Sequence, residues 1–352
     1  MTNPAPLETR GPASAALLEA LEDAPETNPT QPAAFLAAVE KAVNETKDIL
    51  VDEDLQLVLT ILYGLHYGEV GDWEPRWEWQ PDVIQARLGI EAVFEAALRE
   101  RIPAPDLPRP EAEAVAKELF RLTAEDSGPS LSRYLARDAT NAQAVEFIIH
   151  KSIYTLKEAD PHSWAIPRLR GRSKAALVEI QADEYGGGRP DHVHATIFAG
   201  TMRGMALSDR YGFYLNHVPA VTLAAFNMMS MFGLNRRLRG AIVGHLAAFE
   251  MTSSIPNRFY GNGFRRLGYD EKVTWYFDEH VEADAVHEQI AGRDLAGSLA
   301  EDEPELLPDI IFGAQACLYL DGLTGTHMLT AWDEGGSSLR RPVEPIDPAH
   351  TL

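Results

Sequence analysis

The stretch YFDEHVEADAVHEQI, residues 276–290, decides how the rest of the chain is read. Read as an acidic helix, it carries His280, Asp284 and His287 at offsets of zero, four and seven, within about 60° of arc at ~3.6 residues per turn. All three side chains can look the same way. Val273, Tyr276, Phe277 and Ala291 lie on or beside that face, so the polar groups point toward apolar surroundings, while Glu279, Glu282 and Glu288 lie off it. A satisfied core histidine or a capping aspartate would account for any one of the three; together they read as metal ligation. Imidazole and carboxylate four residues apart can share one ion, whereas His280 and His287 stand about 10 Å apart along the axis at ~1.5 Å per residue. Two ions about 3.5–4 Å apart, with Asp284 between the histidines, suit that spacing better than one.

Further ligands occur on other segments of helical period. In AALVEIQADEYGGGRPDHVHATIFAG, Leu177 and Ile180 precede Glu184 by seven and four residues, which continues an apolar face and makes Glu184 a buried carboxylate. Gly186, Gly187 and Gly188 stop that helix directly afterwards, and Pro190 can open the next, whose inward face holds His194, Ile197, Phe198 and Thr201. Glu184 and His194 then meet across a tight corner. The glycines form no phosphate loop, because neither a preceding strand nor a following Lys-Ser/Thr is present. Upstream, Phe147, Lys151, Tyr154 and Glu158 share a stripe, which sets Glu158 at an inward helix C-terminus. A carboxylate there opposes the helix dipole and calls for a cation, either a metal or Lys151. Downstream, Val243, Leu246 and Ala247 share a face with Glu250, while His245 falls on another side and reads as structural. Three histidines and four carboxylates without a thiolate suit iron or manganese better than structural zinc. The two Glu-x-x-His motifs of ferritin-like bundles are absent from these helices.

Composition supports a large soluble core: 352 residues, 45% of them hydrophobic. A net charge of −22 argues against nucleic acid or an anionic membrane as partner. Cys317 is the single cysteine, which excludes an internal disulfide and cysteine-based metal sites and fits a reducing, cytoplasmic location. No basic-then-apolar leader opens the sequence. The run VPAVTLAAFNMMSMFGL is interrupted by Pro219, Thr222, Asn227 and Ser230 and reads as a buried helix rather than a span. Helical periodicity dominates from AAFLAAVEKAV onward, so the fold class is all-α. Residues 1–30, rich in Pro, Ala, Thr and Glu, read as a mobile tail; 31–140 as a helical extension; 141–300 as the core; and 301–352 as a C-terminal helix with a Pro-rich tail packed on that core.

The segments LKEADPHSW, VEIQADEYGGGRP with His194, and DEHVEADAVH together resemble the iron-containing redox enzymes of the haem-oxygenase-like fold, also called haem-oxygenase-like di-metal oxidases and oxygenases. The resemblance covers roughly residues 141–295. Its combined pattern is a Glu, a second Glu 26 residues on, a His ten further, and a final His-x3-Asp-x2-His helix. It implies a haem-oxygenase-like helical bundle and a labile site for two Fe(II) per chain, or manganese. Glu158, Glu184, His194, His280, Asp284 and His287 match the six core ligands, and Glu250 matches an additional carboxylate of some members. Glu184 matches the bridging, catalytic carboxylate. A working partition of this set puts Glu158, His280 and Asp284 on one iron and His194, His287 and Glu250 on the other, with Glu184 spanning both. The family adds O2 to form a peroxo-di-iron(III) species and oxidises amines, amino acids or fatty acids by N-oxygenation, desaturation or C–C cleavage. Partners implied are a small-molecule substrate and an external electron donor, and a homodimer is compatible. Lys151, Tyr154, Met228, Met229 and Met231 are pocket candidates.

A competing class is a haem-oxygenase-like protein without redox iron: haem- or ligand-binding, or thiaminase-like. The thiaminase reading needs a nucleophilic cysteine, and Cys317 in FGAQACLYLDGL reads as packing.

Overall fold

The computed structural model describes residues 6–343 except 29, 69, 105 and 125–129, and except the side chains of 282–286. Among the described residues there are helices and no strand. In chain order they are α1 (Pro12–Ala20), α2 (Gln31–Glu45), α3 (Glu53–Tyr67), α4 (Pro81–Arg101), α5 (Ala112–Ala124), α6 (Leu131–Arg137), α7 (Asn141–Thr155) and α8 (Asp160–Ser163). There follow α9 (Gly171–Glu184), α10 (His194–Gly204), α11 (Ala220–Leu234), α12 (Arg239–Met251), α13 (Ser254–Arg266), α14 (Glu271–Gln289), α15 (Ser298–Asp302) and α16 (Leu307–Asp333).

The nearly all-apolar α11 is buried along almost its whole length and packs on α3, α12 and α16. Its polar interruptions are satisfied inside the core. Asn227 donates to the Gln56 carbonyl and side chain and accepts from Thr60, which joins α11 to α3 without an orphaned amide. The tightest helix pair is α12 with α16. A Cβ on Gly244 would lie 1.8 Å from the Ile310 carbonyl oxygen, and one on Gly313 2.0 Å from that of Ala241, so small residues on both helices let the backbones touch. By length and composition α16, with its first turn, would also fit a bilayer span; more than half of that window is buried in the protein.

One apolar core runs from Ala13 to Leu339 and crosses residue 140 without a break. Within the stretch 1–30, which the composition reads as a mobile tail, α1 is instead built into this core. Ala13, Leu17 and Ala20 form a helical stripe that is fully buried, and Asp54 of α3 accepts from the Ala13 and Ser14 N–H groups at 2.8 and 2.7 Å. Arg10 pairs with Glu53 at 2.6 Å and donates to the Val218 carbonyl. Pro- and Ala-rich composition hid a short stripe whose cap comes from another helix. The C-terminal stretch is held as far as residue 343; the rest of the Pro-rich tail lies outside the described residues.

After Gln289 the helix continues as a π-helical segment, Ile290–Gly297, which packs on α5, α9 and α12. This widened turn directly follows the helix that bears His280 and His287, the kind of position where π segments recur near functional groups.

Candidate metal centre

Glu158 does not end a helix. α7 stops at Thr155, and Glu158 sits in the turn that leads to α8, buried, with its carboxylate turned toward α14. The reading of an inward helix C-terminus had the side right and the backbone wrong, because Pro161 opens a new short helix. Lys151 is not its counter-ion; that ammonium stands 5.9 Å from the Phe147 ring. Instead Glu158 Oε1 accepts from the Tyr276 hydroxyl at 2.6 Å and lies 3.4 Å from His280 Nε2.

Glu184 is the last residue of α9 and His194 the first of α10. Gly186, Gly187 and Gly188 take φ of 75°, 58° and 83°, the left-handed region that side chains disfavour. A Cβ on Gly186 would meet the His192 carbonyl carbon at 2.7 Å. The corner therefore closes tightly enough to bring Glu184 Oε2 within 3.0 Å of His194 Nδ1. Pro190 opens a 3-10 turn rather than α10 itself.

On α14, His280 and His287 are both buried, as their shared face demands. Two groups of three form. Glu158, His194 and His280 can each offer a ligand atom with all such atoms within 4.8 Å of one another, and so can Glu184, Glu250 and His287. His194 thus sits with Glu158 and His280, which corrects the working partition that set it with His287 and Glu250. The His194 and His280 rings lie 4.4 Å apart. Through its contact with His194, Glu184 touches both groups. The side chain of Asp284 lies outside the described residues.

The outer sides of the imidazoles are tied down. His280 Nδ1 donates to the Tyr276 carbonyl at 2.8 Å, and His287 Nε2 to Asp183 Oδ2 at 3.0 Å. The opposite nitrogens, His280 Nε2 and His287 Nδ1, face Glu158 and Glu250, each at 3.4 Å. These hydrogen bonds select the tautomers that turn a lone pair inward.

Burial and neighbouring charges shift several of these groups. Burial alone would raise the Glu158 carboxyl; His280 first, then His194 and the Tyr276 hydroxyl, outweigh it and draw it down. Burial would lower His194, but Glu184 raises it overall. His287 is pushed up to about 9, burial being outweighed by Glu250, Asp183 and Glu184. Burial and Glu158 hold the Tyr276 hydroxyl well above its usual range, so it remains a donor.

The residues fit a metal by a direct observation. Glu158 Oε2, Glu184 Oε2 and His194 Nδ1 are buried and make no hydrogen bond, although the last two are only 3.0 Å apart. They converge without aligning as donor and acceptor. Such atoms are costly inside a protein unless something positive lies between them. Tyr154, Leu246, Phe249, Glu158, Glu184 and His280 help line a small cavity of about 20 Å³ at this point, a size suited to one or two water- or ion-sized occupants. Of the other pocket candidates, Met228, Met229 and Met231 are core. Cys317 is buried, and its thiol is pushed well above its usual range, chiefly by burial, which opposes a nucleophilic role.

Three neighbours escaped the sequence reading as site residues. Tyr276 was taken only as apolar face, although it precedes His280 by one helical turn. Asp183 adjoins Glu184 but points to another helix. His162 lines the cavity and meets the structural His245, Nε2 to Nδ1, at 3.1 Å.

This buried imidazole and carboxylate chemistry in a helical bundle agrees with the comparisons. Residues 145–322 match the family of iron-containing redox enzymes, and the chain belongs to that family. Among curated proteins, nitrosourea synthase of Streptomyces achromogenes subsp. streptozoticus is 26% identical over 195 residues. The match takes in 54% of this chain but 41% of that enzyme, so less than half of the relative's length is represented here. Among solved structures, a CADD-like protein of unknown function from Nostoc punctiforme PCC 73102 superposes with a TM-score of 0.50 at 15% identity, over 64% of this chain and 96% of that one. A second structure with the same description gives 0.50 at 17%, over 62% and 97%. The bundle is thus of the haem-oxygenase-like fold, and its family is that of the iron-containing redox enzymes.

Proposed function

We propose that the protein is a non-haem di-iron oxidase or oxygenase that uses O2 to oxidise a small organic substrate. The observation that carries this reading is the pair of buried three-residue groups, linked by the contact of Glu184 in one with His194 in the other. Glu158, His194 and His280 would hold one iron and Glu250 and His287 the other, with Glu184 spanning both and Asp284 as a further ligand of the α14 face. Two Fe(II) ions there would supply electrons for the reduction of O2, and manganese is the alternative occupant.

The chain's own residues set the conditions for that chemistry. His280 and His287 are fixed in rotation and tautomer by the Tyr276 carbonyl and by Asp183. Tyr276 holds one oxygen of Glu158 and leaves the other facing the cavity. Leu246, Phe249 and Tyr154 crowd the cavity and limit water beside the reacting atoms. The curated relative's name describes the synthesis of a nitrosourea, so nitrogen-bearing substrates, amines and amino acids, stand first for N-oxygenation; fatty acids follow, for desaturation or C–C cleavage. An external electron donor, a cytoplasmic location and a homodimer belong to the same proposal.

The test is iron bound per chain after anaerobic Fe(II) loading, followed by absorbance and O2 consumption on mixing with oxygen. Close to two irons, a transient visible band, and loss of both in His280→Ala are expected. One iron or none, with no reaction toward O2, would overturn the di-iron reading.

A further inference from the structure

The fold brings together two basic segments that lie far apart in the sequence. PRLRGRSK, residues 167–174, and LNRRLRG, residues 234–240, hold seven of the chain's 31 Lys and Arg residues in an otherwise strongly acidic protein. Arg168, Arg170, Arg236 and Arg239 from these segments line one cavity of about 480 Å³, with Ser173 at the start of α9. That volume falls among ordinary small-ligand pockets.

Part of the positive charge is already used. Arg168 donates to the Gly233 and Leu234 carbonyls at the end of α11, and Arg239 pairs with Glu303. Asp302 completes the acidic side of the lining. Among the described residues, neither Arg170 nor Arg236 has a salt-bridge partner. Four guanidinium groups thus face two carboxylates around one concavity. Holding like charges together is unfavourable unless an anion visits; burial and then Arg236 both lower the Arg168 guanidinium. Planar guanidinium forks match the several oxygens of a phosphate group better than a single carboxylate does.

We propose that this cavity binds a small phosphate-bearing polyanion at a site separate from the candidate metal centre. Arg170 immediately precedes α9 and Glu184 is its last residue, about 20 Å away at ~1.5 Å per residue. The bound anion therefore does not reach the metal ligands.

Isothermal titration of the full chain with sodium pyrophosphate, at constant ionic strength set by chloride, tests the site. One saturable site per chain is expected, with affinity at least ten-fold weaker in the Arg170→Ala/Arg236→Ala double variant. Both side chains are exposed, and an unchanged melting temperature would verify that the variant folds. Absence of saturable binding, equal affinity in the double variant, or tighter binding of citrate would overturn the proposal. So would binding of polyglutamate without pyrophosphate, which would reassign the surface to an acidic protein partner.

Discussion

Asp183 shows how one surface carboxylate reaches the centre of the protein. It is 61% exposed, yet it accepts from His287 Nε2, whose other nitrogen faces Glu250. A carboxylate behind a ligating imidazole fixes the ring and increases its basicity, and removing it typically costs about 10–100-fold in metal affinity. Asp183→Asn should therefore weaken Fe(II) or Mn(II) binding in a chelator-competition titration by about that factor. The melting temperature of the metal-free protein should move little, because the Asn amide oxygen can still accept the hydrogen bond from His287 Nε2. Unchanged metal affinity would mean that Asp183 does not position His287. Tyr276→Phe makes a second case. It deletes the hydroxyl that holds Glu158 Oε1, a buried bond to a charged acceptor, typically about 1.5–3 kcal/mol. Metal-free Tyr276→Phe should melt lower, and bound metal should restore part of the loss by engaging the same carboxylate.

At the scale of elements, the corner between α9 and α10 decides whether the two candidate ligand groups are joined. Gly186 has φ of 75°, and any Cβ would strike the backbone of His192 and Val193. Gly186→Ala should destabilise the fold by about 1–3 kcal/mol through strain at this position. It should also weaken metal binding, because Glu184 and His194 would be moved apart; melting and equilibrium dialysis read the two effects separately. This corner was legible in the sequence, since a glycine triplet after an apolar stripe leaves few other conformations. The inward face of α14 was legible for the same local reason. The backbone at Glu158 was not, because the stop of α7 depends on how the chain enters α8. Nor was the company of His194, which lies between carboxylates of two other segments and is assigned only when α10 and α14 are packed together. The π segment after Gln289 was not legible either, because its eight residues are too few to show a change of period.

For the whole molecule, the all-α class followed from periodicity, while the place of α1 did not, because its cap and its apolar partners come from α3. Long-range pairing also governs the response to pH. His150, His162 and His245 are fully enclosed, and burial, the leading cause in each, lowers His150 to about 3 and His162 to about 4 and holds His245 well below its usual value. These three are neutral in the native protein and take up protons on unfolding below about pH 6.5. Their contribution to stability is complete above that pH and is lost as pH falls, toward 4 for His162 and toward 3 for His150, on the order of a few kcal/mol for each of these two. His287 has the opposite sign. Its native value of about 9 exceeds the unfolded one, so its contribution is complete below about pH 6.5 and is lost as pH rises through 9. Metal-free protein should therefore melt highest near pH 6.5, with a decline on each side. Metal must displace the proton from His287, so loading should strengthen with rising pH and remove the alkaline decline while leaving the acid one. Melting curves from pH 5 to 9, with and without Mn(II), separate the two limbs. An alkaline limb that persists unchanged in saturating metal would show that His287 keeps its proton and is not a ligand.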